Sequence, residues 1–228
     1  MINKNLIKTA AAKPDTGFWN FLFFSRLNIL SILSLLMFFF NFSLTDLISS
    51  SNPCFSEKSI QSERREKDET FKQKNSPLPD DLKAKFKGLK YYSPDSKYAV
   101  KATFTKNKKK VKVKIQASKK NDIRNMYIVG VLSFSISGVK LKLNAYSSGK
   151  NPSEPLFIPF TDKTSSNETY DAGRYLDINI KDSEISVCLD FNLCYNPYCA
   201  YNKKYSCPLV PKENNLNIEI KAGEKKYH

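Results

Sequence analysis

Histidine is almost missing. The chain has 228 residues and one histidine, His228, at its last position. Histidine-based catalytic triads and histidine-ligated metal sites are therefore excluded as first readings. Glycine is scarce as well, at 7 residues. No P-loop, dinucleotide fingerprint, H-E-x-x-H or G-x-S-x-G element occurs, so the common sequence signatures of nucleotide binding and hydrolysis are absent. Nothing implies a cofactor or a metal. Arginine is rare in a chain that is otherwise full of lysine, which makes Arg174 conspicuous.

Lysine, phenylalanine and tyrosine are plentiful. With 37 Lys and Arg against 22 Asp and Glu, the formal charge is +15. Such a charge favours anionic surfaces. The lysines, however, are spread along the chain and alternate with apolar residues, the pattern of a solvated face. In KKVKVKI, Val111, Val113 and Ile115 fall on one side of a strand and Lys110, Lys112 and Lys114 on the other.

The N-terminal region is the one long hydrophobic run. Leu27 to Thr45 is 19 residues without a charge, close to the length that crosses a bilayer. Lys4, Lys8, Lys13 and Arg26 precede it, and the next base is Lys58. Positive charge stays inside, so the body of the protein is expected outside the cytoplasm. The membrane partner is residues 18–48, which act as an uncleaved inner-membrane anchor. Alternatively, a cut near Ser51, with Ser49 and Ser51 as the small residues, gives a secreted or periplasmic form. Lipidation of Cys54 is a third option, but Pro53 directly before it makes a poor lipobox. Export also argues against nucleic acid as a partner.

Three segments follow from these patterns: 1–51 as a membrane anchor or signal segment, 52–90 as a charged helical lead-in or linker, and 91–228 as an all-β domain. Leu82, Phe86 and Leu89 fall on one face of a short helix in the lead-in. Beyond Lys97 eight strand-like runs are read: YAVKATF, KKVKVKI, MYIVGVLSFSI with a bulge at Gly130, VKLKLNAYS after a hairpin at Gly138, LFIPF, TYDAGRYLDINI, ISVCLDF and LNIEIKA. The fold class is mainly β, an antiparallel β-sandwich or partly open barrel. It is preceded by the N-terminal hydrophobic helix and the short charged lead-in.

Five cysteines are present. In an exported chain, a pair close in sequence reads first as a disulfide. Cys199 and Cys207 flank AYNKKYS, and a bridge between them would pin the loop. Cys188 and Cys194 read as buried thiols. A zinc site made from these four lacks C-x-x-C spacing. Asp162, Arg174, Asp190 and Glu213 form a second group, either a structural ion-pair network or a pocket for an anionic substrate. Arg174 follows Gly173 and needs a carboxylate from Asp162, Asp190 or Glu213 if it is buried. Thr164 and Tyr170 join the candidate polar cluster. So do Asn192, Asn196 and Asn214, whose amides beside turns can stand in for backbone bonds.

The blocks LFIPFTDKTSSNETYDAGRYLDI, LDFNLCYNPYCAY, SCPLVPKENNL and IKAGEK, with the lead-in ERREKDETFKQKNSPLPDDLKAKFKGLKYYSPDSKYAVKATF, resemble an uncharacterised bacterial group, domain-of-unknown-function family 1684. The similarity spans about residues 57–226. Its pattern matches at Asp162, Arg174, Cys199, Cys207, Glu213 and Glu224, among others. It departs at Asp171, Val210 and Asn215, where glycine, proline and arginine are usual. The resemblance implies a small domain that often follows a signal or lipoprotein leader, and it brings no catalytic residue. The expectation for function is an exported or membrane-tethered module, a non-catalytic binder of an unknown envelope partner or small ligand, or a structural element. The alternative is a hydrolase-like or other enzyme that acts on a small anionic substrate through the Asp/Arg/Glu group.

Overall fold

Alternating apolar residues beyond Ala99 fold into six strands of one sheet. The computed structural model describes residues 52–149, 154–181 and 185–228. The hydrophobic run within 1–51, its expected helix and the cut near Ser51 lie outside the described residues. Among the described residues, no helix is long and apolar enough to cross a membrane. The strands are β1 (Ala99–Gln116), β2 (Ile123–Ile136), β3 (Val139–Ser147), β4 (Leu156–Phe160), β5 (Arg174–Ile178) and β6 (Ser186–Asp190). They pair in the order β5-β4-β3-β2-β1-β6, antiparallel throughout, as a sheet curled into a half-barrel. Of the two architectures expected, this is the open barrel rather than two facing sheets.

Local chemistry explains most of the registers. Ile136 pairs with Val139 across the two-residue turn Ser137-Gly138, where φ is +49° and +80°. Positive φ at both central residues gives the twist that a tight hairpin needs. The register slips between Ile128 and Gly130, as the glycine promised. A Cβ on Gly130 would stand 2.4 Å from the Phe104 ring.

Two expected boundaries are corrected. YAVKATF and KKVKVKI are one strand of 18 residues, β1, with an irregularity between Lys106 and Val111. Gly173 is not mid-strand; its φ is +92°, and β5 starts only after it, at Arg174.

The largest difference is at LNIEIKA, which is no strand. Its alternation is real, since Leu216, Ile220 and Ala222 are buried in the main core with Leu132, Leu143, Ile158, Phe160, Leu189 and Phe191. Side chains satisfy much of its backbone instead of a neighbouring ladder. The Ile220 N–H donates to Asp162 Oδ1 at 3.2 Å. The carbonyls of Ile220, Ala222 and Glu224 all accept from Arg174.

The lead-in is more than a linker. Helix α1 (Glu57–Lys72) is capped by Ser56, whose side chain accepts from Ser59 N. It buries Ile60, Arg64 and Phe71, which recur along one helical face. A four-residue helix α2 (Asp80–Lys83) follows. Phe71, Leu78 and Tyr201 form a satellite core against which Phe86 and Leu89 pack. Residues 52–228 make up one unit by their contacts, with the lead-in inside it.

Candidate functional site

The polar residues singled out from the sequence are mostly internal staples. Arg174 is fully buried. Its guanidinium donates four hydrogen bonds: to Asp162 Oδ2 at 2.8 Å, and to the carbonyls of Ile220, Ala222 and Glu224. Carbonyls two residues apart on an extended chain point the same way, so one planar fork can read all three. The other Asp162 oxygen accepts from Thr164 N at 2.7 Å, from the Thr164 hydroxyl at 2.6 Å and from Ile220 N. The Thr164 hydroxyl lies 2.9 Å from that of Thr169. Of the three carboxylates expected for Arg174, Asp162 is the partner.

Asp190 and Glu213 lie elsewhere. Asp190 caps the 3₁₀ turn Phe191–Leu193 and accepts from Asn192 N at 2.9 Å and from the Asn192 amide at 2.7 Å. Burial raises its pKa, and the bonds from Asn192 work against that rise. Glu213 is exposed beside Thr105, Lys142 and Asn144. The four charged residues of the expected pocket therefore do not share a cavity.

The asparagines act as backbone substitutes. Asn192 donates to the carbonyl of Asp95 and accepts from its N–H, each at 2.9 Å. Asn214 accepts from Asn144 N at 2.9 Å and donates to Asn144 O at 3.0 Å and to Pro159 O at 2.7 Å. One residue pair, Tyr146 with Phe157, joins β3 to β4. The Asn214 amide therefore fills part of the ladder that these strands lack. Asn196 donates through its amide to Lys225 O at 2.9 Å and through its backbone N–H to Glu224 Oε2.

Arg64 and Glu224 are the staples that side-chain reasoning passed over. Arg64 is buried under the Tyr91 ring and donates to Tyr92 O at 2.9 Å and Asn192 O at 3.1 Å. Glu224, also buried, accepts from the Tyr201 hydroxyl at 2.6 Å, and its Oε1 lies 2.9 Å from Lys67 Nζ. It thereby ties α1 to the 194–201 loop. The signal available was the i, i+4 spacing of Ile60 and Arg64, masked by the dense charge around them.

The cysteines differ from expectation. Cys54 is disulfide-bonded to Cys188, across a separation of 134 residues. That pairing overturns a free Cys188 and a lipid on Cys54. Sequence proximity could not reveal it, because the antiparallel β1–β6 pairing carries Cys188 to its place opposite Lys101. Cys194 is a buried thiol, as expected, with its pKa pushed up to about 11 by burial. Cys199 and Cys207 stand as neighbouring thiols in this structure rather than as a bridge. The Cys199 N–H donates to Cys207 Sγ at 3.2 Å. The Tyr170 hydroxyl is 3.7 Å from Cys199 Sγ.

A large open cleft, about 1130 Å³, lies away from the Arg174 network. One wall is α1, with Glu63, Glu66, Lys67 and Phe71, and another is the start of β2, Ile123 to Met126. Phe157, Tyr175, Tyr195 and Tyr198 line it with Asp177, Pro197, Tyr205 and Cys207. The rings brace one another edge to face: Phe157 on Tyr175 at 4.6 Å and Tyr175 on Tyr195 at 5.9 Å. The Tyr175 hydroxyl donates to Pro208 O, and that of Tyr195 donates to Asp177. Lys67 Nζ sits 4.8 Å from the centre of the Tyr195 ring. Asp177 reaches solvent at the mouth, yet the surrounding protein atoms raise its pKa and the Tyr195 bond opposes the rise. Tyr198 is 49% exposed, so its ring is open to a ligand. Among the described residues, no group of three or more His, Cys, Asp or Glu is placed to hold a metal ion.

No curated protein matches the chain. The solution NMR structure of an uncharacterized protein from gene locus rrnAC0354 of Haloarcula marismortui is similar to it. The two share 36% identity and a TM-score of 0.61, over 74% of this chain and 93% of that one. The Arg174 staple, the asparagine bridges and the C-terminal segment they hold all fall within residues 84–225, which match the model of a protein family of unknown function. The chain belongs to that family, DUF1684.

Proposed function

We propose that the protein is an extracytoplasmic binding module, tethered or exported through residues 18–48, whose ligand docks in the tyrosine-lined cleft. The observation that carries this reading is the contrast between two sets of polar residues. Asp162, Arg174, Asn192 and Asn214 spend their bonding capacity on the fold. The cleft, in contrast, opens the Tyr198 ring and charged side chains to solvent beside half-buried Phe157 and Tyr195, which the buried Tyr175 braces. Rigid tyrosines supply contact area at low entropic cost, and a few polar groups fix orientation. The Cys54–Cys188 bond supports the location, since disulfides persist in oxidising compartments.

The test is made in cells that carry the full chain. With the outer layer permeabilised and the inner membrane intact, added protease is expected to digest the 52–228 unit. Full protection overturns the location. A photo-reactive phenylalanine analogue at Tyr198 is expected to capture an envelope component that the same group at Lys142, on another face, does not. Equal capture from both positions removes the cleft as the binding site.

A further inference from the structure

The 194–208 loop brings two thiols together beside the cleft. Cys199 is half-exposed in the 3₁₀ turn Tyr198–Ala200. Cys207 precedes Pro208, which bridges to Ala117 at the end of β1, and it lines the cleft wall. The Cys199 N–H donates to Cys207 Sγ at 3.2 Å, and the Tyr170 hydroxyl lies 3.7 Å from Cys199 Sγ. The Cys207 N–H in turn donates to Ser118 Oγ at 3.2 Å. The remaining cysteines are unlike these. Cys194 is sealed in the core and donates to Ala222 O, and Cys54 and Cys188 are consumed in their bond.

We propose that Cys199 and Cys207 form a thiol–disulfide exchange site whose substrate is an accessible disulfide, with Cys199 as the attacking sulfur and Cys207 as the resolving one. The Cys199 thiolate attacks one sulfur of the substrate R–S–S–R. A mixed disulfide forms, and R–S⁻ leaves to take up a proton. Cys207 then loses its proton and attacks Cys199 Sγ, which releases the second R–S⁻. Two thiols become one disulfide in the chain, and the substrate is reduced to two R–SH. The exchange is stoichiometric and stands beside the binding role.

The surroundings suit this order of events. Hydrogen bonds, first from Cys207 and then from Tyr170, outweigh burial and lower the Cys199 pKa to about 6. A thiol near 6 is mostly thiolate at neutral pH, whereas an ordinary one near 8.5 is only a few per cent thiolate. Cys207 is pushed the other way, chiefly by its bond to Cys199 and by burial. That upward push fades once Cys199 is a neutral mixed disulfide, so the resolving thiol becomes easier to ionise after the first step. The other titratable and charged groups around the pair are Tyr170 and Tyr175, with Arg124, paired to Asp122, on the Ser206 carbonyl and Lys119 on that of Lys204.

The test uses the full chain with the Cys54–Cys188 bond intact and oxidised glutathione as the probe. Wild type is expected to lose two hydrogens by intact mass and to release two glutathione thiols. Cys207→Ser is expected to stop with one glutathione on Cys199, and Cys199→Ser to react at least tenfold more slowly. Without any variant, the alkylation rate of wild-type Cys199 is expected to rise with a midpoint near pH 6. A midpoint at or above pH 8 overturns the assignment. So does a folded Cys207→Ser variant that accumulates no adduct, or a wild-type pair that is already bonded and reducible only in denaturant. A disulfide-bridged peptide as a second probe separates the sources: faster exchange than with glutathione assigns a protein substrate, and equal or slower exchange a small one.

Discussion

Burying a guanidinium costs several kcal/mol unless its charge and its donors are all met. Arg174 meets most of that cost with one carboxylate and three carbonyls, and only its Nε is left without a partner. Arg174→Ala should therefore destabilise by about 3–5 kcal/mol, because Asp162 loses its charge partner and the carbonyls of Ile220 and Glu224 lose their donor at the same time. A urea melt within half a kcal/mol of wild type would remove the structural role. Arg174→Lys keeps the charge but not the fork, and should fall between the two. Replacing Arg174 and Asp162 together by apolar residues should not restore wild-type stability. The carbonyls of Ile220 and Glu224 would still be buried without donors, and that of Ala222 would keep only the Cys194 thiol. At this scale the sequence was half legible. A rare arginine after a glycine, with carboxylates to choose from, pointed to an ion pair. The three carbonyls were not legible, because a backbone acceptor leaves no mark on residue type.

Among the elements, α1 and the β3–β4 junction depend on contacts outside their own segments. Helix α1 packs through Ile60, Arg64 and Phe71, and Phe71 meets Tyr201 edge to face at 4.9 Å. Phe71→Ala should cost about 3–5 kcal/mol, the usual range for emptying a buried aromatic site. Hydrogen exchange should show α1 losing protection before β2 and β3 do. Uniform loss across helix and sheet would mean that the helix is no separable layer. Asn214 is the counterpart in the sheet. Asn214→Ala leaves Asn144 and Pro159 with unpaired backbone groups, and about 3 kcal/mol is expected in a denaturant melt. A loss under half a kcal/mol would show that the strands close without it. Period-two patterning marked β3, β4 and the Ser137-Gly138 hairpin because local sterics decide them. The same patterning misread LNIEIKA, where the alternation reports burial and side chains supply many of the hydrogen bonds beside two backbone bonds to Thr161 and Lys163. The charged stripe of α1 hid its buried face, since the charged Arg64 and Lys67 share that face with Ile60 and Phe71.

For the whole molecule, the covalent tie decides how the lead-in stays on the sheet. Cys54 lies two residues before the Ser56 cap of α1, and Cys188 lies on β6, at one end of the strand order. The closed loop of 134 residues contains nearly every strand, so its constraint on the unfolded chain is large. In the chain-entropy model a bond of this span contributes about 2–5 kcal/mol. Opening it leaves the buried contacts of α1 in place, so the native structure should survive reduction with lower stability. The expected outcome is a lower urea midpoint for the reduced protein, with an unchanged near-UV spectrum in the absence of denaturant. The Cys54→Ser, Cys188→Ser double variant should reproduce that midpoint and become insensitive to reductant. Reduction also keeps Cys199 and Cys207 as thiols, so the double variant is what separates the two pairs. If the midpoint drops on reduction in wild type but not in the double variant, the stabilisation belongs to Cys54–Cys188. If both proteins drop equally, Cys199 and Cys207 carry it, and the tie between α1 and the sheet is dispensable.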